Sequence, residues 1–333
     1  MARKTFKKIV VTEERLKEVE PKNLRLAEKF LKNKSTRSSQ KTIENYQSDL
    51  NIFFVWNLLE NDNVLFPHIK KLQLSEFFYW CSEELKWGSA RTRRMRSVLS
   101  SFSKFIEMFY DEEYPGFRNI VLIAIESAPK SPRREKTILK DEQIEEIIQW
   151  AREEDPQIAC WLALGISSGA RFSELLRFES DLIDETHVAF DGLFLETTRK
   201  IRTKGRGVEG KMLKKYIIKD LFLYDFNKWM EIRSGMLKED HNSLFIRKDG
   251  TPARDGTVRS WISRIEKQFE IDFYPHALRH YFTTYLSKVG LPAQLIQEIG
   301  GWETADMVGV YDDTDVKDKK WEELNNLRQK LSE

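Results

Sequence analysis

Residues 127–136, SAPKSPRREK, hold two prolines, two serines and four basic side chains, and nothing apolar recurs there at a helical or strand period. Such a segment inside a chain cannot belong to a core, so the chain must build two cores, one on each side. Before it, helical spacing is clear. Ile43, Tyr46, Leu50, Phe53, Phe54 and Asn57 fall on one face; Leu72, Phe77, Phe78 and Cys81 suggest a second helix. A third begins near Ser89 and runs through Met95, Leu99, Phe102, Phe105 and Ile106, and a short one follows over 120–125. Residues 36–126 therefore read as an all-helical domain, and 1–35 as a charged N-terminal extension with weak helical spacing at Leu24, Ala27, Phe30 and Leu31.

After the linker (127–137) the pattern is mixed. Asp141 opens a helix whose buried face is Ile144, Ile147, Ile148 and Ala151, and 158–165 is an apolar helix. Residues 188–198 and 212–218 read as two strands with turn chemistry at 204–207. Helices resume over 221–233, 257–269, 276–289 and 292–299. The expected fold is mainly α, a helical domain followed by a mixed α+β domain over 138–311 with a small antiparallel sheet and a tail at 312–333.

The charge totals nearly cancel, 55 Lys+Arg against 53 Asp+Glu, but locally they do not. Between 86 and 104 stand Lys86, Arg91, Arg93, Arg94, Arg96 and Lys104 with no acid. Between 199 and 219 nine basic residues, Arg202 and Arg206 among them, face Glu209 alone. Two basic clusters in separate halves, with Arg133 and Arg134 between them, suit a clamp on a nucleic-acid backbone. A hydrophobic content of 41% excludes a disordered chain. The apolar runs are far shorter than the ~18 residues that span a bilayer. Residues 1–8 lead into charge at 13–17, so no signal peptide and a cytoplasmic, nucleoid-associated protein are expected. Two cysteines, Cys81 and Cys160, and five scattered histidines build neither a disulfide scaffold nor a metal site, and no cofactor is expected.

Four places carry candidate chemistry. In SGARFSELL (168–176), Gly169 breaks an apolar helix just before Arg171, with Glu174 three residues on as a partner. In PHALRHYFTTYLSKVG (275–290), His276 and Arg279 share a helical face and suit a phosphate, while His280 is read as structural and on another face. In LIQEIGGWETADMVGVY (295–311), two glycines end a helix before Trp302, and Tyr311 follows nine residues later. In TKGRG (203–207), Lys204 stands at a hairpin tip, with Lys200 and Lys211 close enough to compete.

Taken in chain order, arginine, hairpin lysine, His-x-x-Arg, Gly-Trp and tyrosine, these stretches resemble the tyrosine recombinase (phage integrase) family over about 138–311, and 36–126 looks like that family's core-binding domain. The resemblance implies that Arg171 and Arg279 are the two catalytic arginines, His276 the first histidine of the His-x-x-Arg motif, Trp302 the occupant of the family's histidine-or-tryptophan position, Tyr311 the nucleophile and Lys204 the hairpin lysine. It implies a site-specific recombinase that cuts and rejoins DNA through a 3′-phosphotyrosine, integrating or excising a mobile element. A Xer-type dimer resolvase and a non-catalytic DNA-binding protein are the alternatives; a type IB topoisomerase fits the motif spacing less well. Duplex recombination sites, a tetramer on two sites and an unidentified directionality factor are the implied partners. Leu324, Leu327 and Leu331 with Trp321 make an apolar stripe that the resemblance implies docks on a neighbouring subunit, with packing in cis as the alternative.

Arg91, Arg93, Arg94, Arg96, Arg133, Arg134, Arg202 and Arg206 are the expected DNA contacts, and most such contacts position the protein rather than read sequence. Raising salt from about 50 to about 200 mM should then weaken DNA binding at least ~tenfold. A binding isotherm that ignores salt would contradict the clamp.

Overall fold

The computed structural model describes residues 11–127, 138–203 and 210–313. They form two compact units, one holding 11–127 and the other 138–203 and 211–313. Among the described residues no helix is long and apolar enough to cross a membrane. The architecture is the mainly helical one expected, with a small antiparallel sheet.

The first unit is six helices: α1 (Glu13–Glu18), α2 (Pro21–Ser35), α3 (Gln40–Glu60), α4 (Lys71–Glu83), α5 (Ser89–Phe109) and α6 (Val121–Ala124). Its core is aromatic: Phe53 meets Phe77 edge-on at 4.9 Å, and Phe66 lies 4.7 Å from Phe102. Leu26, Ala27, Phe30 and Leu31 of α2 are buried in this same core, as is Val19. The boundary expected at residue 35 therefore does not separate an extension from a domain. The spacing at 24–31 is weak in the sequence because charges, Lys22, Arg25, Glu28, Lys29 and Lys32, take most exposed positions of α2, yet its four apolar residues form one continuous stripe. Leu72, expected on the buried face of α4, is exposed, and Leu74 takes that place.

Buried Asn23 fixes the entry to this core. Its amide donates to Val64 O at 3.0 Å and its carbonyl accepts from Phe66 N–H at 2.8 Å, so a polar side chain is satisfied within the interior.

The second unit contains α7 (Asp141–Glu154), α8 (Pro156–Ser168), α9 (Phe172–Leu175), α10 (Leu223–Met236), α11 (Asp255–Phe269), α12 (Pro275–Lys288), α13 (Ala293–Gly300) and α14 (Asp306–Tyr311). α8 is apolar all round, so it can only be a central helix, and α7, α10 and α12 pack on it. Asp155 caps its start, accepting from Gln157 N–H at 3.1 Å. Both cysteines are buried, and burial pushes both thiols up.

The strands are shorter and more numerous than expected: β1 (Val188–Ala189), β2 (Phe194–Glu196), β3 (Ile201–Thr203), β4 (Lys211–Leu213) and β5 (Tyr216–Ile218). β1, β2 and β5 form one antiparallel sheet in that order, while β3 and β4 form a separate antiparallel pair. The run expected as one strand over 188–198 turns back at Phe190 and Asp191, both at positive φ, and Gly192. In β5, Ile217 is buried against the helices, so Lys215, two residues earlier, is carried on the same inward face.

Candidate active site

α8 ends where its chain must turn sharply. Gly169 takes φ 55°, and a β-carbon there would stand 2.3 Å from the Phe282 ring, so only glycine closes this helix. The turn delivers Arg171 to the start of α9. Its main-chain N–H donates to Glu174 Oε2 at 3.0 Å and its Nη1 to Oε1 at 2.9 Å. The partnership expected from the three-residue spacing is therefore formed twice over. Glu174 is fully buried, and its Oε2 is also 3.0 Å from Lys215 Nζ. Burial alone would raise the Glu174 carboxyl. The Lys215 ammonium, then the Arg171 N–H and guanidinium, outweigh it and hold the carboxyl at about 2.

α12 supplies the second arginine. Pro275 opens the helix, His276 follows, and Arg279 lies one turn on with no exposed surface. Its Nη1 donates to Gly169 O at 2.5 Å, so the helix end that aims Arg171 also anchors Arg279. The Trp302 and Tyr311 rings lie 4.6 and 4.9 Å from the guanidinium carbon. Arg279 Nε and Nη2 meet no hydrogen-bond acceptor among the described residues, and neither does Trp302 Nε1. Burial first, then the charge of Arg171, holds Arg279 below the ordinary guanidinium range.

Trp302 reaches this position through the two glycines that end α13. Gly301 is left-handed at φ 65°, and a β-carbon on Gly300 would stand 2.8 Å from the indole, which folds back over the helix end. Tyr311, the last residue of α14, stacks on Trp302 at 5.4 Å and 25°. Its ring is 5.0 Å from that of His280 and 6.4 Å from that of His276. The residues after it are tied to α12. Ser287 Oγ donates to Asp312 Oδ2 at 2.7 Å, Asp313 N–H donates to Thr284 Oγ1 at 3.0 Å, and His280 Nδ1 lies 2.8 Å from Asp313 Oδ2.

Arg171, His276, Arg279, Trp302 and Tyr311 are thus gathered at the shared ends of α8, α12, α13 and α14. His280 corrects the sequence reading. Four residues advance a helix by about 400°, so His280 shares the His276 face and touches the tyrosine. Lys204 lies outside the described residues; Lys200 and Lys211 are exposed on either side of it. Lys215 was missed. It stood among nine basic residues, and only the strand alternation with Ile217 marked it as inward-facing.

Of the arginines expected on DNA, several also hold the fold. Arg91 pairs with buried Asp49 and lies 4.5 Å over the Trp87 ring, and Arg94 Nε donates to the same carboxylate at 2.9 Å. Arg96 donates to Ile125 O at 2.6 Å and Leu122 O at 3.1 Å, anchoring α6. Arg93 is half-buried on α5 and Arg202 is exposed on β3; Arg133, Arg134 and Arg206 lie outside the described residues.

The second unit thus brings two arginines, a histidine, an indole and a phenol together on a mainly helical scaffold. Residues 137–318 match the phage integrase family, and the chain belongs to it. It is 25% identical over 290 residues to the SPbeta prophage-derived recombinase-like protein YomM of Bacillus subtilis (strain 168), covering 84% of this chain and 83% of that protein. It is 26% identical to tyrosine recombinase XerC of Thermodesulfovibrio yellowstonii, covering 84% and 87%. Among solved structures, the fold is similar to the Tn1549 transposon integrase in complex with transposon right end DNA, with a TM-score of 0.65 at 16% identity over 92% of this chain and 99% of that one. It is also similar to a lambda integrase dimer bound to a COC′ core site, with a TM-score of 0.64 at 19% identity over 87% and 77%.

Glu174 titrates at about 2 in the folded chain against 4.5 ordinarily. Because the folded value is the lower one, the stability it confers is complete above pH 4.5 and is lost as pH falls toward 2. Denaturant titrations across that window should show a shallower acid loss for Glu174→Gln than for the parent chain. Superimposable acid limbs would refute the pairing.

Proposed function

We propose that this chain is a tyrosine site-specific recombinase that cuts and rejoins DNA strands. The observation that carries the reading is the Tyr311 ring lying against Arg279, a buried guanidinium whose Nε and Nη2 have no acceptor among the described residues. A phosphodiester supplies what those groups lack: anionic oxygens in a fork that matches guanidinium geometry.

The reaction follows from the residue types. The Tyr311 phenolic oxygen attacks phosphorus, an O–P bond forms, and the bond to the 5′ oxygen breaks. The departing oxygen takes a proton from Lys204, and His276 receives the phenol proton. A 5′ hydroxyl from another strand then reverses the step. The phosphotyrosine retains the bond energy, so no nucleotide cofactor is consumed, and one difficult displacement becomes two easier ones. Arg171 and Arg279 bind the nonbridging oxygens, where charge accumulates; fixed donors of this kind contribute ~3–4 kcal/mol each. Trp302 packs against the arginine and turns its indole N–H to the phosphate.

Basic side chains bind the DNA backbone: Arg93 on α5 and Arg202 on β3, Arg91, Arg94 and Arg96 with what charge their ties within the fold leave, and Arg133, Arg134 and Arg206 from outside the described residues. The relatives named as a prophage recombinase and as transposase B from transposon Tn554 of Staphylococcus aureus favour integration and excision of a mobile element. The XerC relative, matched along most of its length, keeps dimer resolution as the second reading. A flanking attachment-like repeat beside the gene separates the two.

The chain should form an SDS-stable adduct with a nicked duplex drawn from the DNA flanking its gene, and Tyr311→Phe should form none. A Tyr311→Phe chain that still forms the adduct would refute the assignment, and binding without any adduct would favour a non-catalytic protein. Assembly is a separate matter. The segment with Trp321, Leu324, Leu327 and Leu331 lies outside the described residues; its apolar stripe suits docking on a neighbouring subunit in a tetramer on two sites. Removing 316–333 should then abolish the higher-order complex on DNA while leaving single-site binding intact; unchanged assembly and recombination would exclude docking in trans.

A further inference from the structure

Lys215 takes no part in the steps above, yet it is among the most enclosed side chains of the protein, 1% exposed. A lysine in that position is rare, and an unpaired ammonium would not persist there. Its ion-pair partner is Glu174, at 3.0 Å. The oxygen it touches also accepts from the Arg171 main chain, and the second oxygen accepts from the Arg171 guanidinium. A single carboxylate thus joins Lys215 to Arg171.

The lysine is itself held from the sheet. Its N–H donates to Thr197 Oγ1 at 3.0 Å, its carbonyl accepts from Thr197 N–H at 2.9 Å, and β5 follows at once, paired to β2. At its tip, Nζ lies 3.8 Å from where a β-carbon on Gly301 would stand, so the ammonium sits beneath the turn that presents Trp302. Lys215 therefore ties a rigid strand to both loops that carry site residues.

We propose that Lys215 is a positioning residue for strand cleavage, its ammonium holding the Glu174 carboxylate, and through it Arg171, in the geometry that receives the phosphate. This rests on the recombinase reading. The physical reason is competition for one anion. With Lys215 present, Arg171, Arg279 and Lys215 against Glu174 leave two net positive charges, matching a phosphorane-like transition state that bears two negative ones. With Lys215 absent, a fully buried Glu174 has Arg171 as its remaining cationic contact, and the guanidinium is drawn back from the phosphate to neutralise it.

The test uses the full chain and the nicked duplex that the parent protein traps. Lys215→Met keeps the stem and removes the charge; Lys215→Arg keeps the charge. At saturating DNA, Lys215→Met should slow adduct formation about 100-fold while DNA affinity stays within about twofold, and Lys215→Arg should recover most of the rate. In a Glu174→Gln background, where no buried carboxylate remains to be held, adding Lys215→Met should cost less than about threefold more. Parent-like cleavage by Lys215→Met, or an equal loss in both backgrounds, would overturn the proposal. The double variant removes both members of the buried Lys215–Glu174 pair, so it guards against a single variant that fails to fold. A second readout needs no DNA: in chain labelled with 15N-arginine, the Arg171 side-chain N–H groups, bound harder by Glu174, should exchange with solvent more slowly in Lys215→Met and not in Lys215→Arg. Unchanged exchange would overturn the positioning role, whereas a parent chain that traps no duplex would count against the recombinase reading alone.

Discussion

A guanidinium without exposed surface and with two N–H groups unmet is the constraint from which the rest of the second unit follows. Arg279 cannot shed its charge at neutral pH, so the protein must surround it with groups that tolerate a cation. Three do so: the Gly169 carbonyl at the end of α8 and the faces of Trp302 and Tyr311. Each imposes a local demand. The carbonyl requires a left-handed residue with no side chain, the indole requires two glycines behind it, and the phenol requires the 312–313 segment clasped to α12. The glycines flanking the site are therefore the backbone cost of bringing aromatic rings and a helix end within 5 Å of one charge.

The same reasoning shows why some of this was legible in the sequence and some was not. α8, α12 and α13 carry their own start and stop signals, Pro156, Pro275, Gly169 and Gly301, and local chemistry alone locates their ends. Arg171, His276, Arg279 and Trp302 stand at or near those ends and Tyr311 ends α14, so local signals place the first four while the tyrosine is singled out by the family resemblance alone. α2 was underrated because its charges obscure a stripe that only a partner helix makes meaningful. The strand over 188–198 hides a turn at Phe190, Asp191 and Gly192, whose Asp-Gly pair is a turn signal masked by the apolar residues on either side.

Lys215 and Asp49 were invisible for a different reason. A buried ion pair is made by residues far apart in the chain, 174 with 215 and 49 with 91 and 94, and nothing at either position announces the other. Charge clusters read along the chain look like solvated or DNA-facing surfaces. In space, part of each cluster is spent on the fold: Arg96 anchors α6, Arg91 and Arg94 neutralise Asp49, and Lys215 neutralises Glu174. Counting basic residues therefore overstates the charge available to a polyanion.

Polar groups that the fold leaves unmet among the described residues include two side chains at the site. Orphaned donors on Arg279 and Trp302, beside Arg171 and Lys215, are groups that the interior leaves partly unpaid. α8, apolar on every face and buried along its length, offsets that cost and supports both arginines by its C-terminal end. An anion that binds these groups satisfies in the folded chain what the unfolded chain satisfies with water, so binding and stability are linked through the same N–H groups. The core is built around α8 because the site at its end is, without phosphate, an electrostatic liability.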